Sequence, residues 1–321
     1  MKQIYTNKGS RPTKDGFGIG LKKAGETNSS VVALGADITG SVGADLFAKA
    51  FPERFFSLGI AEQNCVGVAA GMALNGKIPV FSTYGVFAAL RTTDQIRISL
   101  CYNDVHVIIG GAHAGISVGP DGATHQALED IAIMRVIPNM KVLIPADAVA
   151  VSKLTKNIAE IYGPFYMRMA RSKVPTVYTD SQEFEIGKGI TLRDGSDCTI
   201  AATGITVKMA LDAAEKLHQD GISCRVIDCF TVKPIDKDIL EKAARETGGI
   251  VTCEEHNVMG GFGSAVTEVV SETYPVPISR IGAQDKFGES ARDDEIPQLL
   301  EKHGITSINI EKTVKDIRSK Q

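Results

Sequence analysis

Glu62 is the single acidic residue in the otherwise apolar segment FFSLGIAEQNCVGVAAGMAL (55–74). The residues around it predict a strand that turns into a helix at this position. In a helix N-terminal turn, an exposed carboxylate would gain about 0.3–1 kcal/mol from the helix dipole. The apolar neighbours favour burial instead, and a carboxylate buried without a partner has a raised pKa. Such an acid is suited to donating a proton to a ligand nitrogen.

A second segment that could carry chemistry is the Gly-rich stretch AHAGISVGPDGATHQALED (112–130). It contains His113, Asp121 and His125, and it follows residues that predict a strand. Open α/β sheets bind ligands at the carboxyl ends of their strands, which favours a binding site here. The alternative, which local sequence leaves open, is a surface loop whose histidines only cap the next helix.

Alternating β-branched and helical patterns surround both segments and indicate how they are positioned. Between Val31 and Met169 the alternation predicts βα units and a mainly parallel sheet covered by helices. The predicted strands cover 31–36, 79–83, 105–111, 141–146 and 165–169. The predicted helices lie near 15–25, 62–75, 87–100, 127–135 and 147–161.

A second βα series follows an irregular segment rich in Pro, Gly, Thr and Asp (172–189). Its predicted strands cover 198–203, 224–229, 249–255 and 278–283. Its predicted helices lie near 206–219 and 236–246, from about 263, and, as the last one, near 293–303. We therefore expect two tandem, mainly parallel α/β domains, residues 1–175 and 190–321, joined by a linker at 176–189.

Composition excludes several functional classes. The chain has 321 residues, enough for two hydrophobic cores, and its net charge of −3 without a Lys/Arg block argues against nucleic-acid binding. The N-terminal residues lack the apolar core of a signal peptide, and no apolar run of about 18 residues occurs, so we expect a cytoplasmic protein without membrane association. The segments GFGIG (16–20) and MGGFGSA (259–265) do not complete G-x-G-x-x-G, so dinucleotide binding is not supported.

The six cysteines fit a reduced compartment better than a disulfide framework. Cys224, Cys229, Cys253 and His256 form one set that could hold zinc. However, Cys224 and Cys229 are five positions apart, which places them on opposite faces of a strand. Buried core thiols are therefore favoured over a metal site.

The IAEQN segment, the DGATHQ loop and the two α/β units together resemble the C-terminal half of a transketolase. They are most similar to the separate C-terminal subunit of split transketolases, from about Pro12 to Glu311. The segments that carry the resemblance are LGADITGS (34–41), FPERFFSLGIAEQN (51–64), GGAHAGISVGPDGATHQALEDIAIMRVIPNM (110–140) and CEEHNVMGGFGSAV (253–266).

This resemblance implies thiamine diphosphate-dependent transfer of a two-carbon ketol unit from a ketose phosphate to an aldose phosphate. Glu62 matches the glutamate that hydrogen-bonds N1′ of the cofactor's aminopyrimidine ring, and Phe87 matches the aromatic residue that stacks on that ring. Tyr84 occupies a neighbouring aromatic position. Catalytic roles fall by resemblance on Glu62, His113 and His125. The implied substrate contacts are Ser41, His113, Asp121, His125, Arg171 and Lys14.

The sequence also departs from the family pattern. Lys14 stands where the family usually has a phosphate-binding Arg, although Arg11 is close to it in sequence. The ammonium group of Lys binds phosphate less specifically than the planar guanidinium of Arg. Leu90 and Thr93 stand where related subunits tend to carry Gly and Tyr, so acceptor preference is expected to differ.

A further departure is the absence of a Gly-Asp-Gly motif from the sequence. Transketolases hold Mg²⁺ and the cofactor diphosphate through that motif and a downstream Asn. The resemblance therefore implies a partner, the N-terminal transketolase subunit, that supplies this half of the site in an α₂β₂ heterotetramer. The isolated chain is expected to be inactive.

Three alternatives remain open at this point. The chain could be the β subunit of a 2-oxoacid dehydrogenase, although the loop of that family does not resemble AHAG followed by DGATHQ. It could belong to a deoxyxylulose-phosphate synthase-like enzyme, which is normally one long chain. It could also be a catalytically silent binding or regulatory subunit, against which the retention of Glu62, His113, Asp121 and His125 argues.

Overall fold

Two helix-covered sheets organise the chain, and the computed structural model describes residues 9–319 of it. Its strands are short and rich in Val, Ile and Ala, as expected for strands buried on both faces. They are β1 Ser10–Pro12, β2 Val31–Gly35, β3 Phe55–Ser57, β4 Ile78–Tyr84, β5 Ile108–Ala112, β6 Lys141–Leu143, β7 Phe165–Arg168, β8 Lys173–Pro175, β9 Ile190–Arg193, β10 Cys198–Ala202, β11 Cys224–Asp228, β12 Thr231–Lys233, β13 Ile250–Asn257 and β14 Ile278–Ala283.

The α-helices connect these strands and bury one face against the sheets. None of those within residues 9–319 is both long and apolar enough to cross a membrane. They are α1 Thr13–Thr27, α2 Asp45–Ala50, α3 Glu62–Leu74, α4 Thr93–Gln95, α5 Asp130–Val136, α6 Ala148–Ile158, α7 Thr206–Gln219, α8 Lys237–Thr247, α9 Phe262–Thr273, α10 Ile296–Lys302 and α11 Ser307–Arg318.

The first sheet has seven strands in the order β12-β6-β7-β5-β4-β2-β3, parallel except for β12. The second has five strands in the order β14-β13-β10-β11-β9, parallel except for β9. The expectation of two tandem, mainly parallel α/β units is confirmed. The edge strand β12, which was not expected, comes from the second half of the chain and pairs with β6 of the first.

The first sheet is held to the segment that follows it by a buried aspartate. Asp147 caps α6, since its Oδ1 accepts from the Ala150 amide at 2.8 Å. Its Oδ2 accepts from the amides of Val177 and Tyr178 at 2.7 and 2.8 Å. The start of the segment 176–189 is therefore hydrogen-bonded to the first unit, and β8, just before it, pairs with β1.

The expected helix at 87–100 is corrected by the structure. The chain forms two wide π-helical stretches there, Phe87–Arg91 and Ile96–Tyr102, on either side of the short α4. The Thr92 hydroxyl donates to the Ala88 carbonyl at 2.6 Å, which removes that carbonyl from the regular helical pattern. Such π segments occur frequently at functional sites.

The helix expected near 293–303 is present, but the expectation that it is the last one is wrong. A 3₁₀ turn, Asp293–Glu295, precedes α10, and a further helix, α11, follows Gly304. Gly304 has a φ of 71°, which ends α10 and redirects the chain. The buried face of α11 is formed by Ile310, Val314 and Ile317, a helical spacing that the sequence reading overlooked.

Candidate active site

The candidate site lies where the strand order of the first sheet reverses direction. From β2 the chain moves to β3 on one side and then to β4 on the other, so a crevice opens at the carboxyl ends of β2 and β4. Tyr84 ends β4, His113 follows β5 and Arg171 follows β7. Parallel strands present these ends at one edge of the sheet, which brings together residues that are far apart in sequence.

Glu62 is the first residue of α3 and is 2 % exposed, so the expected burial at a strand-to-helix turn is confirmed. The expectation that this carboxylate has no partner is wrong. Arg91 Nη1 lies 2.9 and 2.8 Å from the two Glu62 oxygens. The Arg91 guanidinium also lies 4.2 Å from the centroid of the Phe87 ring. Arg91 therefore contacts both of the residues that the family resemblance assigns to the pyrimidine ring.

Four rings form a cluster beside this ion pair. The Tyr84 ring centroid lies 4.3 Å from that of His113 and 5.9 Å from that of Phe87. The His125 ring meets Phe87 and Tyr84 edge-on at 5.3 and 5.7 Å. The structure thus brings together both predicted aromatic residues and both predicted histidines of the site.

His113 is held in an unusual backbone conformation, with a φ of 52° and 4 % exposure. Its Nδ1 has no hydrogen-bond partner among residues 9–319. Burial and, to a smaller extent, the positive charges of Lys14 and Arg171 together lower the pKa of His113 from 6.5 to about 3. The imidazole is therefore neutral at physiological pH and has a nitrogen available to a ligand.

A cavity of about 610 Å³ opens next to His113 and is lined by cationic side chains. Lys14 and Arg171 both line it, because the Thr13 hydroxyl donates to the Ala170 carbonyl at 3.0 Å and ties the start of α1 to the end of β7. Arg171 Nη1 lies 2.6 Å from a carboxylate oxygen of Asp293, which also lines the cavity. A site with these charges can bind the anionic terminus of a ligand.

The remaining predicted residues lie farther from this cluster. Ser41 is half-buried in the turn before α2 and does not line the cavity. Asp121 is exposed at the end of a 3₁₀ turn, Ile116–Asp121, within the loop after β5. Arg168, three residues before Arg171 in the chain, is buried and donates through Nε to Asp130 at 2.9 Å.

Sequence reasoning missed Arg91 and Asp293. Arg91 offered a weak signal, because it is a charged residue close after the predicted aromatic position 87. Asp293 offered none, since it is 122 residues from Arg171 and reaches it only through the packing of the second half of the chain.

Two protein-family models match the chain. The model described as "Transketolase, pyrimidine binding domain" matches residues 10–176, which include every predicted site residue. The model described as "Transketolase, C-terminal domain" matches residues 187–310.

Individual relatives cover nearly the whole chain. A protein of Methanocaldococcus jannaschii named as a transketolase C-terminal section is 43 % identical over 96 % of this chain and 96 % of its own. The 6-deoxy-6-sulfo-D-fructose transketolase subunit SqwH of a Clostridium species is 38 % identical over 94 % of this chain and 92 % of its own. A solved structure described as a split gene transketolase, inactive beta4 tetramer, has a TM-score of 0.90 and 48 % identity, covering 96 % of this chain and 98 % of that one.

Proposed function

The chain belongs to the transketolase family, and on that premise we propose that it is the C-terminal subunit of a split, thiamine diphosphate-dependent transketolase. In this proposal it transfers a two-carbon ketol unit from a ketose phosphate to an aldose phosphate. It acts only when an N-terminal subunit supplies the site for Mg²⁺ and the diphosphate, as an α₂β₂ heterotetramer in the cytoplasm. We further propose domain limits of 1–175 and 190–321, with a linker at 176–189.

The observation that carries the proposal is the buried Glu62 carboxylate together with the Phe87 ring, since both contact the same Arg91 side chain. An aminopyrimidine ring needs a carboxyl group at a ring nitrogen and an apolar surface for its face, and these two side chains offer both. His113 adds a buried nitrogen without a partner among residues 9–319. The residues present therefore fit the pyrimidine half of the cofactor.

When bound, thiamine diphosphate supplies the carbon centre that stabilises a carbanion. Glu62 holds a proton at the pyrimidine nitrogen from a position that excludes water. His113, neutral because burial and nearby cations lower its pKa to about 3, donates or accepts a hydrogen bond at the reacting carbonyl or hydroxyl. We propose that His125, which is edge-on to Phe87 and Tyr84, contacts the same substrate atoms.

The cationic cavity supports a sugar with an anionic terminus. Lys14 and Arg171 line it beside His113, so a chain that extends from the reacting carbonyl would direct its far end toward these charges. One relative is named for the sugar 6-deoxy-6-sulfo-D-fructose, whose sulfo group is an anionic terminus of this kind. We propose a phosphate in this role, with Ser41 and Asp121 as further contacts to the sugar.

The requirement for a partner is supported by exposed apolar side chains around the site. Ile60 and Leu74, which flank and end α3, are 74 % and 68 % exposed, and Leu90, next to Arg91, is 47 % exposed. Most residues of α3 are apolar on its exposed side as well as on its buried side, and a helix that is apolar all round is normally covered on all sides. We propose that the N-terminal subunit covers it and brings the diphosphate to the Glu62 side of the crevice.

Copurification from native cells followed by reconstitution tests the proposal. The tagged chain should bring down a partner that contains Gly-Asp-Gly and a downstream Asn. The complex with thiamine diphosphate and Mg²⁺ should turn over ketose phosphates but not pyruvate, whereas the chain alone should do neither. Turnover of pyruvate would favour a 2-oxoacid dehydrogenase or deoxyxylulose-phosphate synthase-like enzyme, and a well-formed complex without turnover would favour a silent subunit.

Glu62→Gln in the reconstituted complex tests the assignment of the acid. The amide keeps the shape of the side chain but cannot exchange a proton with a ring nitrogen, so we expect at least a 100-fold loss of turnover. Circular dichroism and complex formation should be unchanged. Wild-type turnover in Glu62→Gln would refute the assignment.

A further inference from the structure

The end of β13, in the second half of the chain, reaches the loop that carries His113 and Asp121. This loop, residues 113–125 and here called the substrate loop, has positive φ angles at His113, Gly115, Gly119 and Gly122. A segment with so many left-handed residues gains little stability from its own backbone. Its conformation therefore depends on what surrounds it.

Glu255 of β13 is the buried group that meets the substrate loop most directly. Its carboxylate accepts a hydrogen bond from the Ser117 amide, and it is 3 % exposed. A Cβ at Gly115 would lie 2.4–2.6 Å from the atoms of this carboxyl group. Gly115 therefore permits an approach that any other residue would block, and the loop and the carboxylate are fitted to one another.

A buried arginine fixes the frame on which this contact rests. Arg168 Nη2 donates to the backbone carbonyls of Ala127 and Glu255 at 3.0 and 2.8 Å. Its Nε donates to Asp130 at 2.9 Å. Arg168 thus joins the segment that follows the substrate loop to the backbone of Glu255.

A second support comes from the segment before α10. The Ala291 amide donates to the Gly119 carbonyl at 3.2 Å. The Gln126 side chain donates to the carbonyls of Ile116 and Glu289, both at 3.0 Å. These contacts hold the outer part of the loop, while Glu255 is the side-chain acceptor at its inner part.

From these contacts we infer that Glu255 is a positioning residue for ketol transfer: its carboxylate sets the substrate loop so that His113 faces the sugar. The inference rests on the proposed function and adds a role for the second half of the chain, in which the sequence analysis placed no site residue. Burial raises the pKa of Glu255 and Arg168 opposes that shift. The role itself requires only an acceptor oxygen for the Ser117 amide.

Glu255→Met tests the inference, because it keeps an unbranched side chain of similar size but removes the acceptor. In the reconstituted complex we expect donor kcat/KM to fall about 10-fold, which corresponds to about 1.4 kcal/mol. The affinity for thiamine diphosphate should stay within about twofold. Glu255→Gln, which retains an acceptor oxygen, should restore donor kcat/KM to within about threefold of wild type.

Glu254→Met is the matched control. Glu254 is equally buried, but its oxygens accept from the Phe262 and Gly263 amides at the start of α9 and not from the substrate loop. Its substitution should lower the melting temperature while donor kcat/KM stays within about twofold of wild type. A fall in Glu254→Met equal to that in Glu255→Met would overturn the positioning role.

Hydrogen exchange of the isolated chain supplies a readout that needs no activity. Peptides covering 113–122 should exchange faster in Glu255→Met than in wild type and in Glu254→Met. If the wild-type complex shows no ketol transfer but this pattern holds, the support of the loop stands and the proposed function fails. Unchanged exchange and unchanged kcat/KM in Glu255→Met refute the inference. Glu255→Asp, which withdraws the carboxylate by one methylene, gives the same test if Glu255→Met does not fold.

Discussion

Replacing Arg91 by Met should strengthen the binding of thiamine diphosphate to the reconstituted complex. In the structure Arg91 is bonded to both oxygens of Glu62 and lies over the ring of Phe87. Both groups are the proposed contacts of the aminopyrimidine ring. The cofactor therefore has to displace Arg91 when it binds. Breaking the contacts of Arg91 with Glu62 and Phe87 makes the free energy of cofactor binding less favourable.

The size of the effect follows from these contacts. A hydrogen bond between charged groups contributes about 1.5–3 kcal/mol, and an exposed cation–π contact about 0.5–1 kcal/mol. The Arg91 side chain is 45 % exposed, so solvent screens part of both contributions. We take about 1–2 kcal/mol as the net value, which predicts about 5- to 30-fold tighter binding.

The same substitution should destabilise the free chain, because it leaves the Glu62 carboxylate buried without its partner. Titration calorimetry of the complex gives the affinity, and thermal unfolding of the isolated chain gives the stability. Arg97→Met is the control, since Arg97 is an exposed arginine of the same π-helical region. Weaker cofactor binding in Arg91→Met would refute the reasoning and indicate that Arg91 stays in place to orient Glu62.

Two further predictions concern other buried and surface charges. Asp293→Asn should lower KM for phosphorylated donors by up to about fivefold with kcat unchanged, because it frees Arg171 from a partly exposed ion pair. Steady-state kinetics measures this change, and a donor without the phosphate is the control. Burial raises the pKa of Asp228 from 3.8 to about 8, so between about pH 5 and 7 the folded chain holds a proton that the unfolded chain has released. The contribution of Asp228 to the free energy of unfolding should therefore fall by about 1.4 kcal/mol for each unit that the pH rises in this range. Urea unfolding at several pH values should show this slope for wild type and not for Asp228→Asn. An equal slope in both proteins would contradict the prediction.

The sequence predicted those features of the site that depend on residues close together in the chain. The apolar residues around Glu62 indicated a buried acid at a helix start, and the structure confirms both features. The strands before Tyr84 and His113 were predicted from their β-branched residues, and their parallel pairing confirms why these two side chains meet.

Contacts between distant segments could not be predicted in the same way. Arg91, which pairs with Glu62, is the last residue of the π-helical stretch Phe87–Arg91, and hydrophobic spacing does not distinguish such a stretch from an α-helix. Glu255 meets Ser117 across 138 residues, and only the packing of the two sheets brings them together. The residues that hold and shield the site were therefore harder to predict than those proposed to perform the chemistry.

The strand β12 makes the first sheet depend on residues from the second half of the chain. Thr231 to Lys233 cover the outer edge of β6, so the first sheet is completed by residues encoded well beyond the interdomain segment. A gene division within 176–189 would leave that edge open to pairing with other chains. The two units of this chain therefore depend on one another for a complete first sheet, and a variant divided within 176–189 would expose the edge of β6.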